Sequence, residues 1–226
     1  VPRRSRRNSL GRFAAVIFDM DGVLVDGEPL HYRAFSRLLA DEGLSYSLER
    51  HKASMGTKGD WPELVAEFGL SRDVDYYFPV YSEYVMAEYA ACEGPLPGAT
   101  RAITALREKN VPVAVASSSR RAWVEACLGK MGLGGAFDDV VTGSEVTHGK
   151  PDPEIYLLAA ERLGVDPKRC LAIEDAPFGI MAAHSAGMTC WAVRTEYTAG
   201  IELPGPEREM QSLLEFDLSV FEEVAV

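Results

Sequence analysis

The chain has 226 residues, of which 47% are hydrophobic and 25% charged; that is room for one substantial core plus a smaller lobe, and it excludes collagen, wholesale disorder and a disulfide scaffold. A formal net charge of −11 argues against a nucleic-acid partner, which would need a basic face to neutralise phosphates. No apolar run is long enough to span a membrane, so no membrane partner is expected.

The N-terminal residues 1–12, VPRRSRRNSLGR, form the one strongly basic stretch. They read as a solvated, disordered tail, with a targeting or tag remnant or a nucleic-acid arm as alternatives. Without an initiating Met, the start reads as truncated or processed. Residues 13–18, FAAVIF, are almost wholly apolar and stop at Asp-Met-Asp-Gly, as a central parallel strand buried on both faces would. Residues 28–93 then contain three stretches of helical period, HYRAFSRLLADEGL, WPELVAEFGL and YSEYVMAEYAA, with no strand between them. Turn-like flanks, DGEP on one side and EGPLPG on the other, suit a two-stranded hinge under an all-helical insertion, a candidate cap. Tyr77, Tyr81 and Tyr84 lie at helical spacing in it and are assigned to packing within the small bundle, with no chemistry.

From residue 94 strand and helix alternate. ATRAITALREK is a helix, VPVAVA a strand ending in Ser-Ser-Ser, residues 120–131 a helix with Trp123, Cys127 and Met131 at four-residue steps, and DVVTG a short strand. In GKPDPEIYLLAAERLG, Asp152 suits an N-cap, Pro153 the first helical position and Gly164 the left-handed residue after the last turn. CLAIE reads as a strand, IMAAHSAG as a helix closed by Gly187, and TCWAV as a further strand. The C-terminal SLLEFDLSVFEEVAV reads as an edge helix or a contact surface. The fold class is therefore α/β, a doubly wound, mainly parallel sheet made by residues 13–27 plus 94–226, with the helical cap inserted at 28–93. Four cysteines without metal-like spacing read as reduced and mostly buried.

Ligands of open parallel sheets bind outside the carboxyl ends of the strands. Those ends carry Asp19 and Asp21, Ser117, and Glu174 with Asp175, while Lys150 stands ahead of the capped helix. Three or four crowded carboxylates call for a divalent hard cation, with Mg2+ expected. Lys150, the Ser117 hydroxyl and the Ser118 amide can then take phosphate oxygens. An acidic protein that binds a phosphate ester needs such local positive charge.

DMDGVLVD, VASSS, HGKPDPEIY and IEDAPFGI, in that order, resemble the haloacid dehalogenase superfamily, in particular its branch of beta-phosphoglucomutase and small sugar phosphatases. The resemblance implies a Mg2+-dependent phosphomonoester hydrolase with an aspartyl-phosphate intermediate. In it Asp19 is the nucleophile and Asp21 the acid/base. Ser117 and Lys150 bind phosphate, and Glu174 and Asp175 bind metal together with the Asp19 carboxylate and the Asp21 main-chain carbonyl. The aspartate two residues after the nucleophile sets the chain apart from dehalogenases and phosphonatases. The implied partner is a small phosphorylated metabolite, met by a cytoplasmic monomer or weak homodimer, with an organelle as the alternative location if the basic tail is a targeting remnant.

Glu28 and Lys58 are candidate substrate contacts, with solvated charge as the competing reading. His31 stands where relatives often carry a histidine, and is read equally well as a structural residue at the hinge. Gly27 stands where the family commonly has Thr or Ser. A phosphomutase is the alternative activity, and Lys58 is the only strong cation in the cap loop SMGTKGDW that would hold a second phosphate. A signalling receiver also combines an acidic pair, Ser/Thr and Lys, but receivers are much shorter and lack an insertion.

Overall fold

The computed structural model describes residues 12–54 and 60–221; Lys58, the basic segment up to residue 11 and the last five residues lie outside them. Six strands form one sheet: β1 (Ala15–Phe18), β2 (Val113–Ser117), β3 (Asp139–Thr142), β4 (Cys170–Glu174), β5 (Thr189–Val193) and β6 (Arg208–Met210). The order is β3-β2-β1-β4-β5-β6, and every pairing is parallel. The chain thus leaves β1 towards one edge and, after β3, crosses to the other, so the strand order reverses beside β1, where ligands of such sheets bind.

The period of two in the strands sorts their residues by size. Val16, Phe18, Val113, Val115, Leu171, Ile173, Trp191 and Val193 face one layer of helices, α5 (Ala99–Glu108) and α6 (Arg121–Lys130). Ala15, Ile17, Ala114, Ala116, Ala172 and Ala192 face α7 (Glu154–Leu163) and α8 (Pro177–Ser185). The small residues on the second face let α7 and α8 lie close to the sheet, which brings Tyr156 and Gly179 against the end of β4.

Between β1 and α5 the described residues hold four helices and no strand: α1 (Glu28–Asp41), α2 (Leu48–Lys52), α3 (Trp61–Glu67) and α4 (Val74–Ala91). The second, capped by the Ser47 hydroxyl, is one more than helical periodicity revealed, because five residues are too short to show a period. Phe35, Leu38, Leu39, Leu70 and Tyr77 form a small core of their own. The ends of α1 and α4 nearest the sheet instead join the main core, through Leu30, Ala34, Val85 and Tyr89. The two connecting segments run side by side, tied by Leu96 N–H to Leu24 O at 2.8 Å, but neither is a regular strand. Trp123 of α6 closes the joint, donating from Nε1 to Ser82 Oγ at 2.8 Å and stacking on Phe78.

Two expectations are corrected. α7 starts one residue later than its Asp-Pro signal suggests, with Pro153 at the cap; Asp152 Oδ1 still accepts from Glu154 N–H at 2.9 Å. The C-terminal stretch is not an edge helix over its described part. It follows β6 as two 3-10 turns, Leu213–Glu215 and Leu218–Phe221, that plug the main core with Leu213, Phe216 and Phe221. Phe216 meets the rings of Phe18, Trp191 and Phe221, an aromatic cluster that a period-3.6 reading overlooks. No helix among the described residues is long and apolar enough to cross a membrane.

Removing that ring leaves a cavity beside the β1 end that carries the site. Phe216→Ala is expected to lower the unfolding free energy by about 3–5 kcal/mol, read from urea denaturation. A loss below about 1 kcal/mol, the range of an ordinary surface change, would show that the C-terminal plug is peripheral.

Candidate active site

β1 ends at Phe18, and Asp19 follows with its N–H donating to Ile173 O of β4 at 2.9 Å, so the neighbouring strand fixes where its carboxylate emerges. The chain then turns tightly: Leu24 and Val25 N–H both donate to Met20 O, and Gly22 N–H to Val25 O. Gly22 has φ +82°, and a Cβ there would stand 2.0 Å from Asp175 Oδ2. Conformation and space both demand glycine at that position.

Lys150 is the centre of charge. Its Nζ donates to Asp19 Oδ1 at 2.5 Å, to Glu174 Oε1 at 2.6 Å and to Ala116 O at 3.0 Å, which satisfies all three ammonium protons. Burial alone would lower its pKa, but Asp19 and Glu174 outweigh burial and hold it above the ordinary lysine value. Glu174 is itself fully engaged: Tyr156 O–H donates to Oε1 at 2.7 Å, and the Asp175 and Ala176 N–H groups donate to Oε2. A Cβ at Gly179 would collide with it.

Asp175 is the exception. It is 1% exposed, and its Oδ2 has no hydrogen-bond partner among the described residues. Burial first, then Glu174, Glu28 and Asp19, push its pKa well above the usual carboxylate range. Asp19 is also raised, by burial against the opposing pull of Lys150. Oxygens of Asp19, Glu174 and Asp175 lie within 4.8 Å of one another. An orphaned buried carboxylate oxygen beside two others, with one lysine for three negative charges, fits an oxygen-ligated divalent cation.

Asp21 points elsewhere. Tyr89 O–H donates to its Oδ1 at 2.9 Å and Ser119 O–H to its Oδ2 at 3.2 Å, while His31 Nε2 lies 3.9 Å away. Burial, against the pull of His31, raises its pKa. Its carboxylate is not part of the three-carboxylate cluster. Asp19 and Asp21 share the floor of a cavity of about 550 Å³, within the usual range for a small-molecule site. Core residues Ser118, Ser119, Glu174 and Asp175 line it from below, and Phe35, Tyr46, His51, Trp61 and Tyr81 of the helical insertion from above.

A family model described as haloacid dehalogenase-like hydrolase matches residues 13–187. The chain belongs to the haloacid dehalogenase-like hydrolases. It is 37% identical over 186 residues to the fructose-1-phosphate phosphatase YqaB of Escherichia coli, covering 81% of this chain and 97% of that one. With a phosphorylated carbohydrates phosphatase of Thermotoga maritima it shares 35% over 176 residues, 77% of this chain and 82% of that one. Its fold matches a crystal structure of CbbY from Rhodobacter sphaeroides in complex with xylulose-(1,5)bisphosphate, with a TM-score of 0.84, 29% identity, and coverage of 93% of this chain and 99% of that one. Within the haloacid dehalogenase-like hydrolases it is a phosphoric monoester hydrolase.

Asp19, Lys150, Glu174 and Asp175 converge on one point of this hydrolase fold, and Asp21 stands beside it. Ser117 is buried, its Oγ accepting from Ser119 N–H at 3.1 Å, while Ser118 and Ser119 reach the cavity wall. Glu28 lines the cavity and pairs with His51 at 3.0 Å. It is therefore partnered, whereas the competing reading had it as a solvated charge. Lys58 lies outside the described residues. Sequence reasoning set His31 aside and did not find His51, Ser119 or Tyr89. For His51 no signal existed. Ser119 was the third member of a serine run already noted, and Tyr89 continues the stripe of Tyr77 and Tyr81 at steps of four.

Because the Asp175 charge is uncompensated, Asp175→Asn is expected to raise the melting temperature in chelator at pH 8. A carboxyl with a raised folded-state pKa costs stability as pH rises above its unfolded value of 3.8, so the gain closes as pH falls towards that value. Millimolar Mg2+ should reverse the order by stabilising only the wild type. A less stable Asn variant in chelator would contradict the electrostatic account.

Proposed function

We propose that this hydrolase removes the phosphate of a small sugar phosphate, with Asp19 as nucleophile and Asp21 as general acid and base. The observation that carries the reading is the pairing at the cavity floor: one carboxylate clasped by Lys150, and a second held two residues later by hydroxyl donors. The curated relatives that act on fructose 1-phosphate and on phosphorylated carbohydrates support the substrate class.

Asp19, Glu174 and Asp175, with the Asp21 main-chain carbonyl, would hold Mg2+, which when bound offsets their charge and polarises phosphoryl oxygens. Lys150 orients Asp19 and opposes the burial that raises its pKa, so that its free oxygen can attack phosphorus. The bond from phosphorus to the sugar oxygen breaks, and Asp21 gives its proton to that oxygen. Asp21 then takes a proton from water as the water oxygen attacks phosphorus, the Asp19–phosphorus bond breaks, and inorganic phosphate leaves with Asp21 protonated again. The Ser117 hydroxyl and the Ser118 amide are proposed as phosphate-binding donors, with Lys150 supplying the positive charge beside them. The insertion's aromatic walls exclude bulk water, and Glu28 with His51 presents polar atoms to sugar hydroxyls; Lys58 is proposed as a further substrate contact from its cap loop.

The free cysteines, three of them buried, are consistent with a reducing, cytoplasmic setting. One observation favours a second reading in which the substrate is a bisphosphate, hydrolysed or isomerised. Arg120 lines the cavity and stacks 3.8 Å over the Phe78 ring, with no carboxylate partner among the described residues. It is a cation for a distal phosphate, and CbbY was crystallised with a bisphosphate.

Release of inorganic phosphate from a panel of sugar phosphates, sugar bisphosphates and nucleotides, with a glucose phosphate isomerisation assay alongside, tests both readings. Hexose or pentose phosphates should lead in Mg2+ and be silent in chelator. Asp19→Asn should remove turnover and Asp21→Asn should cut it by about 10²–10⁴. Full activity of Asp19→Asn, or a preference for nucleotides, would contradict the proposal.

A further inference from the structure

Gly27 caps α1 with φ −81° and ψ −32°, backbone angles open to any L-residue. Its conformation therefore does not call for glycine; its neighbour does. A Cβ at position 27 would stand 1.6 Å from Asp21 Oδ1 and 2.5 Å from its Cγ. The Asp21 carboxylate occupies the place that a side chain at 27 would take.

It is held there from the other side of the hinge. Tyr89, 1% exposed near the end of α4, donates to Asp21 Oδ1 at 2.9 Å. A phenol has one proton to give, so the Tyr89 oxygen must accept from His31 Nε2–H at 3.0 Å, and His31 Nδ1 in turn shares a hydrogen bond with the Tyr81 hydroxyl at 2.8 Å. Tyr81 and Tyr89, two steps of four apart, put both ends of this chain of hydrogen bonds on one face of α4. That helix also packs on α6, so the grip on Asp21 depends on how the insertion sits on the core.

We propose that Gly27 and Tyr89 are positioning residues for Asp21: the glycine leaves the niche open, and the tyrosine fixes the carboxylate's aim at the leaving oxygen within it. The proposal rests on Asp21 being the general acid. Proton donation matters when the leaving group is a sugar alkoxide and hardly at all when it is 4-nitrophenolate, so a misaimed acid has a signature that a loosened fold lacks.

The test compares kcat/KM of the full chain in Mg2+ for its best sugar phosphate and for 4-nitrophenyl phosphate, in Asp21→Asn, Tyr89→Phe and Gly27→Ala. Tyr89→Phe and Gly27→Ala are expected to lose at least about tenfold on the sugar phosphate and less than about threefold on the aryl ester, a fraction of what a general acid contributes. A crystal structure of Gly27→Ala should show Asp21 displaced from Tyr89. Gly27→Ala, whose backbone suits alanine, carries the test alone should Tyr89→Phe unfold. Equal losses on both esters, or no loss on either, overturn the positioning role while leaving Asp21 as the acid. Failure of Asp21→Asn itself to discriminate between the esters overturns the acid assignment and this inference with it.

Discussion

Lys150 is 3% exposed, and its ammonium group survives burial only because Asp19 and Glu174 meet it at 2.5 and 2.6 Å while Ala116 O takes its third proton. A buried ion without partners costs several kcal/mol, so the geometry of the three elements that deliver these groups is not free to vary. β1 brings Asp19, β4 brings Glu174, and the loop before α7 brings Lys150. The parallel register of β1 with β4, Phe18 opposite Ile173, sets the first two side by side. Tyr156 and the tight approach at Gly179 then hold Glu174 from α7 and α8, which the small residues on that face of the sheet allow to come close.

Against this satisfied pair, Asp175 and Asp21 stand out. Asp175 is buried, with one oxygen unpartnered among the described residues and a raised pKa, an arrangement that costs stability until positive charge arrives. Asp21 is satisfied, but by hydroxyls, one of them from the helical insertion. The division of labour in the proposed chemistry follows from these surroundings. Burial raises the pKa of both carboxylates, and their partners separate them: the one clasped by an ammonium, where a bound cation would offset its charge, attacks, while the one among hydroxyl donors carries a proton back and forth.

The sheet and most of its helices were legible from periodicity, because strands buried on both faces are short unbroken apolar runs and the helices between them carry clear ends. CLAIE and TCWAV coincide with β4 and β5. What escaped was structure without a period: the five-residue α2, the three-residue β6, and the aromatic plug of Leu213, Phe216 and Phe221, whose burial depends on partners far away in the chain. The same holds in the site. Asp19, Lys150, Glu174 and Asp175 announce themselves at strand ends and helix starts. The surroundings of Asp21 do not, since Tyr89 looks like one more packing residue of an amphipathic helix until the hinge brings it down onto the core. Gly27 was visible only as a departure from the family pattern, and its meaning lies in the space it leaves.

The assignment of Asp19 as nucleophile is tested most directly by acid quenching a single turnover of substrate labelled in its phosphoryl group and mapping the label on the protein. The account predicts transient label in an acyl-phosphate linkage on the peptide containing Asp19, appearing before free phosphate and absent in Asp19→Asn. Label on a serine of the 117–119 run, or phosphate release with no protein-bound label in an enzyme that keeps its activity as Asp19→Asn, would contradict it.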